Sequence, residues 1–168
     1  MPVIIGLAGY SGSGKTTLLT RLVPLLKQEG LKVAVMKHDA HGHYKEVSGA
    51  DSALLAEAGA DEVWTLSPEA VHIYRRAAEP LPEELIEREL QGMDLVLIEG
   101  FKRGSHRKIA VFRSAEQSRI LEELEPAPIA IAAGVPFASP AAPVFALDDA
   151  PGLARFLLEQ AGAWQDKV

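Results

Sequence analysis

Cysteine is absent, which excludes disulfides, thiolate metal sites and cysteine nucleophiles at once. Basic residues are in the minority: 17 Lys and Arg against 23 Asp and Glu give a formal net charge of −6. That balance argues against a nucleic-acid partner, because a phosphate backbone is held through a basic surface. No apolar run reaches the roughly 18–20 residues that cross a bilayer, so no membrane partner is expected. The N-terminus, Met-Pro-Val-Ile-Ile-Gly, lacks the charged start and long apolar stretch of a secretory signal. With the missing cysteine, this gives the expectation of a cytoplasmic protein. The 168 residues, 48% hydrophobic and 24% charged, suit a single domain spanning residues 1–168 with a substantial core. No repeat, linker or low-complexity segment divides them.

What is present is a regular alternation of strand and helix. Val3 to Ala8 is a short apolar run that stops at Gly9, the pattern of a buried strand. From Lys15 to Glu29, Leu18, Leu19, Leu22, Leu25 and Leu26 recur at helical spacing, with Pro24 as a possible kink and Gly30 as the stop. Lys32 to Met36 is a second, valine-rich strand, which completes a βαβ unit with parallel strands. A polar loop (residues 37–48) leads to a helix over residues 49–59, opened by Asp51 and Ser52 as candidate caps. Two strands, Glu62–Leu66 and Val71–Arg75, flank a Ser-Pro-Glu turn as a hairpin. A helix from Pro82, a strongly apolar strand ending at Glu99, strands over residues 108–112, 129–133 and 144–147, and a closing helix from Pro151 complete the chain. The fold class expected is α/β: a mostly parallel open sheet with helices on both faces, of the P-loop NTPase type, with a β-hairpin insertion. Trp64 and Phe112 fall on strand patterns and are expected in the core.

The segment Gly9-Tyr-Ser-Gly-Ser-Gly14-Lys15-Thr16 matches the phosphate-binding pattern G-x4-G-K-[ST], and it stands where the pattern needs to stand, after a strand and at the start of a helix. Each residue type has a reason. Glycines at 9, 12 and 14 permit backbone conformations and close approaches that a Cβ obstructs. The helix N-terminus offers unpaired N–H groups and a positive dipole end. Lys15 reaches β- and γ-phosphates, and the Thr16 hydroxyl takes a place on Mg²⁺. A companion acid is needed, and the strand Asp94-Leu-Val-Leu-Ile-Glu99 carries one at each end. Ligands of parallel sheets bind beyond the carboxyl ends of the strands, which selects Glu99 and leaves Asp94 as a solvated residue at the far edge. Lys15 and Glu99 are thus the candidate catalytic groups.

Two further segments lie at the same edge. Lys37-His38-Asp39-Ala-His41-Gly-His43 follows the second strand. It reads as a Zn²⁺ or Ni²⁺ site, as a switch loop in which Asp39 or His38 senses Mg²⁺ and the γ-phosphate, or as a solvated loop. Lys102-Arg103-Gly-Ser-His106-Arg107-Lys108 gathers basic side chains on an acidic protein. It reads either as a docking point for an anionic substrate or acidic partner, or as a solvated turn, and Arg75-Arg76 shares the ambiguity.

Taken together, the Gly9–Thr17 loop, Lys37-His38-x-x-His41, Gly49-Ala-Asp51-Ser52 leading to Ala58-Gly59-Ala60, and Leu95-Val-Leu-Ile-Glu99-Gly100-Phe101-Lys102 resemble the MobB family of molybdopterin-guanine dinucleotide biosynthesis adapter proteins. The resemblance runs over about residues 3–113. It implies a GTP-binding protein with weak intrinsic GTPase activity and a homodimeric state. It also implies a role beside the guanylyltransferase MobA, which joins GMP to molybdopterin, or in passing the finished cofactor to molybdoenzymes. Carried over, Gly9, Gly12, Ser13, Gly14, Lys15, Thr16 and Thr17 hold phosphates, Thr16 and Glu99 organise Mg²⁺, and Lys37, His38 and His41 lie near the γ-phosphate or the pterin. The chain departs from many GTPases in one respect. Ile129-Ala-Ile-Ala-Ala133 runs into Gly134-Val-Pro136 without an Asn-Lys-x-Asp segment or other acid to read guanine. No glutamine is evident to orient an attacking water, nor an arginine finger. A metal-insertion GTPase using the histidine loop and a small-molecule P-loop kinase are the alternative functions.

Overall fold

The structure, a computed structural model, describes residues 1–39, 50–77 and 81–165, the side chains of 161–165 excepted. The chain divides into two compact units, Met1–His38 with Leu85–Val168, and Asp39–Glu84. The larger unit contains β1 (Val3–Ala8), α1 (Lys15–Gln28), β2 (Val33–Lys37), β5 (Leu95–Glu99), β6 (Arg107–Phe112), β7 (Ala130–Ala133), β8 (Val144–Ala146) and α5 (Ala150–Gln165). It also holds a 3-10 turn (Glu116–Arg119) that leads into the short α4 (Ile120–Glu123). The smaller unit contains α2 (Asp51–Glu57), β3 (Glu62–Leu66) and β4 (Val71–Arg75). The helix α3 (Pro82–Glu89) begins in the smaller unit and ends in the larger.

Six strands form one sheet in the order β2-β5-β1-β6-β7-β8, and every neighbouring pair is parallel. Strand alternation decides what each face buries. Ile5 and Leu7 of β1, Leu95 and Leu97 of β5, and Ile109 and Val111 of β6 share a core with Leu18, Leu22 and Leu26 of α1 and Leu153 and Leu157 of α5. The intervening residues face the other way. Val96 and Ile98 meet Ile86 of α3, and Ala8, Ala110 and Phe112 meet Ile120 and Leu124. Helices therefore cover both faces, as expected, and α1 continues through Pro24.

The connection from β5 to β6 is unusual. Parallel strands ordinarily need a crossover of a dozen or more residues, yet here residues 100–106 carry the chain across β1 between them. The crossing lies on the face that Gly6 leaves open. A Cβ at Gly6 would sit 2.4 Å from Nε2 of His106, and one at Gly104 would sit 2.3 Å from its Cε1. Lys108, with no exposed surface, fixes the crossing from below. Its Nζ donates to the carbonyls of Gly104, His106 (3.1 Å) and Glu125 (2.9 Å). Burial pushes the Lys108 ammonium below the usual lysine range. The basic cluster seen in the sequence is therefore not one exposed surface: Lys108 and His106 are buried, and Lys102 pairs with Glu123 at 3.2 Å.

In the smaller unit, β3 and β4 form the expected antiparallel hairpin, with Trp64 opposite Ile73 and Leu66 opposite Val71. These four share one face, and all are exposed, Trp64 at 52% and Leu66 at 75%. Trp64 is thus a surface residue and not a core one; Phe112 is fully buried. The helix α2 starts after Ala50 in extended geometry with no side-chain cap, so Asp51 and Ser52 are first-turn residues, not caps. Gly59 follows its end at φ 107, the left-handed position glycine fills without strain. Arg75 pairs with Glu62 at 2.5 Å and Arg76 donates to the Ala56 carbonyl at 2.8 Å, so both arginines tie the unit together.

Replacing Lys108 by Met leaves the buried carbonyls of Gly104 and His106 and the partly buried one of Glu125 without this donor, and is expected to destabilise the protein by about 3 kcal/mol. Urea unfolding measures this, with Lys102→Ala, an exposed pair, expected within about 0.5 kcal/mol of the parent.

Candidate functional site

All six parallel strands present their carboxyl ends at one edge, so the segments following β1, β2, β5, β6, β7 and β8 meet there. The loop after β1 is shaped by three glycines with different reasons. A Cβ at Gly9 would lie 2.2 Å from the Val111 carbonyl and 2.5 Å from Ser13 Oγ, so no side chain fits. Gly12 and Gly14 hold φ of 72° and 101°, in the left-handed region. Gly14 is also the N-cap of α1, and because it has no side chain, the first amides of the helix are not consumed by a cap. The first turn contains no acid. Exposed amides, a dipole end and an absence of negative charge make this turn a cradle for an anion.

Lys15 leads back over the loop. Its Nζ donates to the carbonyls of Gly9 (3.0 Å) and Tyr10 (2.8 Å) and lies 3.5 Å from Ser13 Oγ. Burial holds its pKa below the usual lysine range; Glu99 opposes the shift, while Lys102 and Lys37 add to it. A phosphate group beside Lys15 would favour the charged form.

Glu99 ends β5, in the alternation that points Leu95 and Leu97 at α1. It is almost fully buried, and the Thr16 hydroxyl donates to its Oε1 at 2.6 Å. Two hard oxygen donors, a hydroxyl and a carboxylate, thus converge at the mouth of the anion cradle. This donor set suits Mg²⁺, which takes oxygen ligands and is commonly shared between protein and phosphate. Asp94, at the opposite end of the same strand, accepts from the Lys32 amide at 2.7 Å, a structural contact.

Lys37 pairs in register with Glu99, and the His38 amide donates to the Glu99 carbonyl at 2.9 Å. Beyond Glu99 the chain turns through Gly100 (φ 95°) and Phe101 (φ 54°), two successive left-handed residues. The Phe101 ring meets His38 edge-on at 5.0 Å and lies nearly parallel to His106 at 6.0 Å. Of the site residues expected from the sequence, Gly9, Gly12, Ser13, Gly14, Lys15, Thr16, Thr17, Lys37, His38 and Glu99 all belong to the larger unit at this edge. Asp39 begins the smaller unit. His41 and His43 lie outside the described residues. Among the described residues, no group of three His, Cys, Asp or Glu side chains is placed to hold a metal ion.

Several contacts here carried no signal in the sequence. The Tyr10 hydroxyl donates to Glu123, and Lys102 Nζ sits 4.3 Å above the Tyr10 ring, tying the loop to the β5–β6 crossing and to α4. The Gln117 side chain accepts from the Arg113 amide at 2.8 Å and reaches the Ser11 carbonyl at 3.5 Å. Beside Gly14 opens a cleft of about 680 Å³, which reaches Arg113, Gly134, Leu147 and Asp148. No acid follows β7 in Gly134-Val-Pro136, as the sequence indicates, and the acid that lines the cleft is Asp148. Asp148 follows β8, one strand further along the chain than the segment after β7.

Fold and site together place the chain among α/β proteins of the P-loop type. Comparison with known proteins narrows the class. The family model described as "Molybdopterin guanine dinucleotide synthesis protein B", MobB, matches residues 4–134. The chain is 35% identical over 135 residues to the molybdopterin-guanine dinucleotide biosynthesis adapter protein of Haemophilus influenzae, covering 79% of this chain and 75% of that one. It is 32% identical over 171 residues to the adapter protein of Escherichia coli, covering 98% and 94%. A solved structure of molybdopterin-guanine biosynthesis protein B superposes with a TM-score of 0.76 at 29% identity, over 95% of this chain and 99% of the other. The chain belongs to the MobB family.

Gly9→Ala forces a Cβ against backbone and is expected to destabilise the protein by about 1–3 kcal/mol. Gly12→Ala, where nothing lies within 4 Å, is expected to lose only the left-handed preference, about 1–2 kcal/mol. In denaturant titrations, a loss below about 1 kcal/mol at Gly9→Ala, or above about 2 kcal/mol at Gly12→Ala, would contradict this reading of the loop.

Proposed function

We propose that this protein binds GTP with Mg²⁺ and acts as an adapter in the biosynthesis of molybdopterin guanine dinucleotide. The observation that carries the reading is the 2.6 Å contact between Thr16 and Glu99 at the mouth of the anion cradle. It supports a metal position beside a phosphate position, in a family whose members are named for this pathway. Loop amides of residues 12–17 hold the β- and γ-phosphates, Lys15 turns from the loop carbonyls to the phosphate oxygens, and Thr16 and Glu99 hold Mg²⁺ directly or through its waters. Lys37 and His38, beside Glu99, face the terminal phosphate or a molybdopterin ligand. The setting is cytoplasmic, and the partners are a MobA-like guanylyltransferase and the machinery that loads molybdoenzymes.

Hydrolysis is slow in this reading. Gln117, the glutamine at the loop, is engaged by the Arg113 amide and the Ser11 carbonyl and is not free to orient water. The protein alone is expected to turn over GTP at or below about 10⁻² s⁻¹, well under the ~1–100 s⁻¹ of kinases. The second subunit of a homodimer covers the exposed face of the hairpin, where Trp64, Leu66, Val71 and Ile73 form one apolar surface.

Calorimetric titration with GTP and Mg²⁺ tests the reading. GTP is expected to bind the parent, and Lys15→Ala to lose at least about tenfold in affinity, the worth of a charged hydrogen bond. Glu99→Gln is expected to lose the Mg²⁺ dependence of binding while retaining the fold. Binding that ignores both substitutions would refute the site. For the dimer, Trp64→Glu is expected to sediment as a monomer where the parent sediments as a dimer; a parent that is monomeric at all concentrations would refute that part.

A further inference from the structure

The cleft beside the P-loop contains more chemistry than phosphate binding requires. It starts at Gly14 and Thr17, at the N-terminus of α1, and runs to the carboxyl ends of β7 and β8, all within the larger unit. Its volume of about 680 Å³ is that of an ordinary small-ligand site. Leu147 forms an apolar wall directly against the loop, its Cδ2 only 3.1 Å from where a Cβ of Gly14 would stand. Arg21 and Arg113 line the cleft as cations, and Asp148 is the one acid among its lining residues.

Asp148 is not the residue that holds the following helix. The next residue, Asp149, is the one that caps α5, its Oδ1 accepting from the Gly152 amide at 2.9 Å. Asp148 stands exposed at the cleft with its carboxylate uncommitted to the helix. A nucleotide with its phosphates on the P-loop would have room for its base in this cleft, which opens directly past Gly14 and Thr17. An apolar wall for a ring face and one carboxylate at the far end is an arrangement suited to a purine.

We infer that Asp148 is the guanine-reading residue of this protein. The inference rests on the P-loop reading above and goes beyond it by naming the group that selects the base. Guanine presents two adjacent donors on one edge, N1–H and the exocyclic 2-amino group, and a carboxylate accepts both at once. Adenine presents an acceptor nitrogen and a C–H on the same edge, which a carboxylate meets with repulsion and no hydrogen bond. Guanine preference thus arises without an Asn-Lys-x-Asp segment, because the reading acid is delivered by β8 instead of by the strand before it. The same chemistry fixes what an amide does at this position. Asparagine offers one donor and one acceptor, which matches xanthine, with its N1–H donor and 2-oxo acceptor, better than guanine.

The test is equilibrium binding of GTP, ITP, ATP and XTP, each with Mg²⁺, to the parent protein, Asp148→Asn, Asp149→Asn and Lys15→Ala. The parent is expected to prefer GTP over ITP, which lacks the 2-amino group, by about 10-fold or more, the worth of a charged hydrogen bond. This comparison needs no variant. Asp148→Asn is expected to lose about 10- to 100-fold for GTP and to gain for XTP, whereas Asp149→Asn keeps the parent's preferences. Parent affinities for GTP and ITP that are equal, or an Asp148→Asn protein with unchanged GTP and XTP binding, would overturn the assignment. In that case loss of all binding in Lys15→Ala would still leave the P-loop reading standing. A parent that binds no nucleotide at all would overturn both.

Discussion

The Thr16 hydroxyl and the Glu99 carboxylate, 2.6 Å apart, join two segments separated by 83 positions in the chain. Their meeting depends on the order of the sheet. The strand β1 lies between β5 and β6, so the loop that leaves β1 emerges beside the end of β5, with Leu7 opposite Glu99 in the pairing. It depends equally on parity. Leu95, Leu97 and Glu99 alternate onto the face that α1 covers, so the same periodicity that buries two leucines in the core aims the carboxylate at the first turn of that helix. A shift of one residue in β5 would turn Glu99 to the opposite face and leave Thr16 without it.

Keeping β1 at the centre imposes a constraint that the rest of the larger unit meets. The chain must cross from β5 to β6 over β1 in residues 100–106, too few for a helix. Gly6 and Gly104 make room for the His106 ring, and Lys108 clamps the carbonyls of the crossing from within the core. Lys102, from the same crossing, lies over Tyr10 of the P-loop and pairs with Glu123. The crossing and the glycine-rich loop after β1 are thus held by shared contacts, so that loop is positioned by the sheet beneath it and by a neighbouring loop.

Much of this was legible in the sequence, for identifiable reasons. Strand and helix periods were strong over Val3–Ala8, the first helix and Leu95–Glu99, and the glycine pattern of the P-loop has few alternatives. Glu99 could be selected over Asp94 by a rule about strand ends. What escaped was set by tertiary contact. Lys108 looked like one more base in a basic turn, because nothing local announces that a lysine will be buried under three carbonyls. Trp64 looked like core because its strand pattern does not say whether a hairpin face is covered. The 3-10 turn and α4 (residues 116–123) are too short to give a periodic signal, so nothing in the sequence marks Gln117 and Glu123. Asp148 sits in a short, irregular edge after β8, where only the parallel pairing of β7 with β8 shows that it comes to the same side as Gly14.

The central claim is that the cradle after β1 and the Thr16–Glu99 pair together form one site for a metal and a triphosphate. The most direct measurement is a crystal structure with Mn²⁺ and a non-hydrolysable GTP analogue, with the metal located by its anomalous scattering. The account predicts one Mn²⁺ between the phosphates and the Thr16 hydroxyl, with Glu99 bound to it or to its water, and the phosphates on the amides of residues 12–17. A metal elsewhere, or phosphates lying away from the N-terminus of α1, would contradict it.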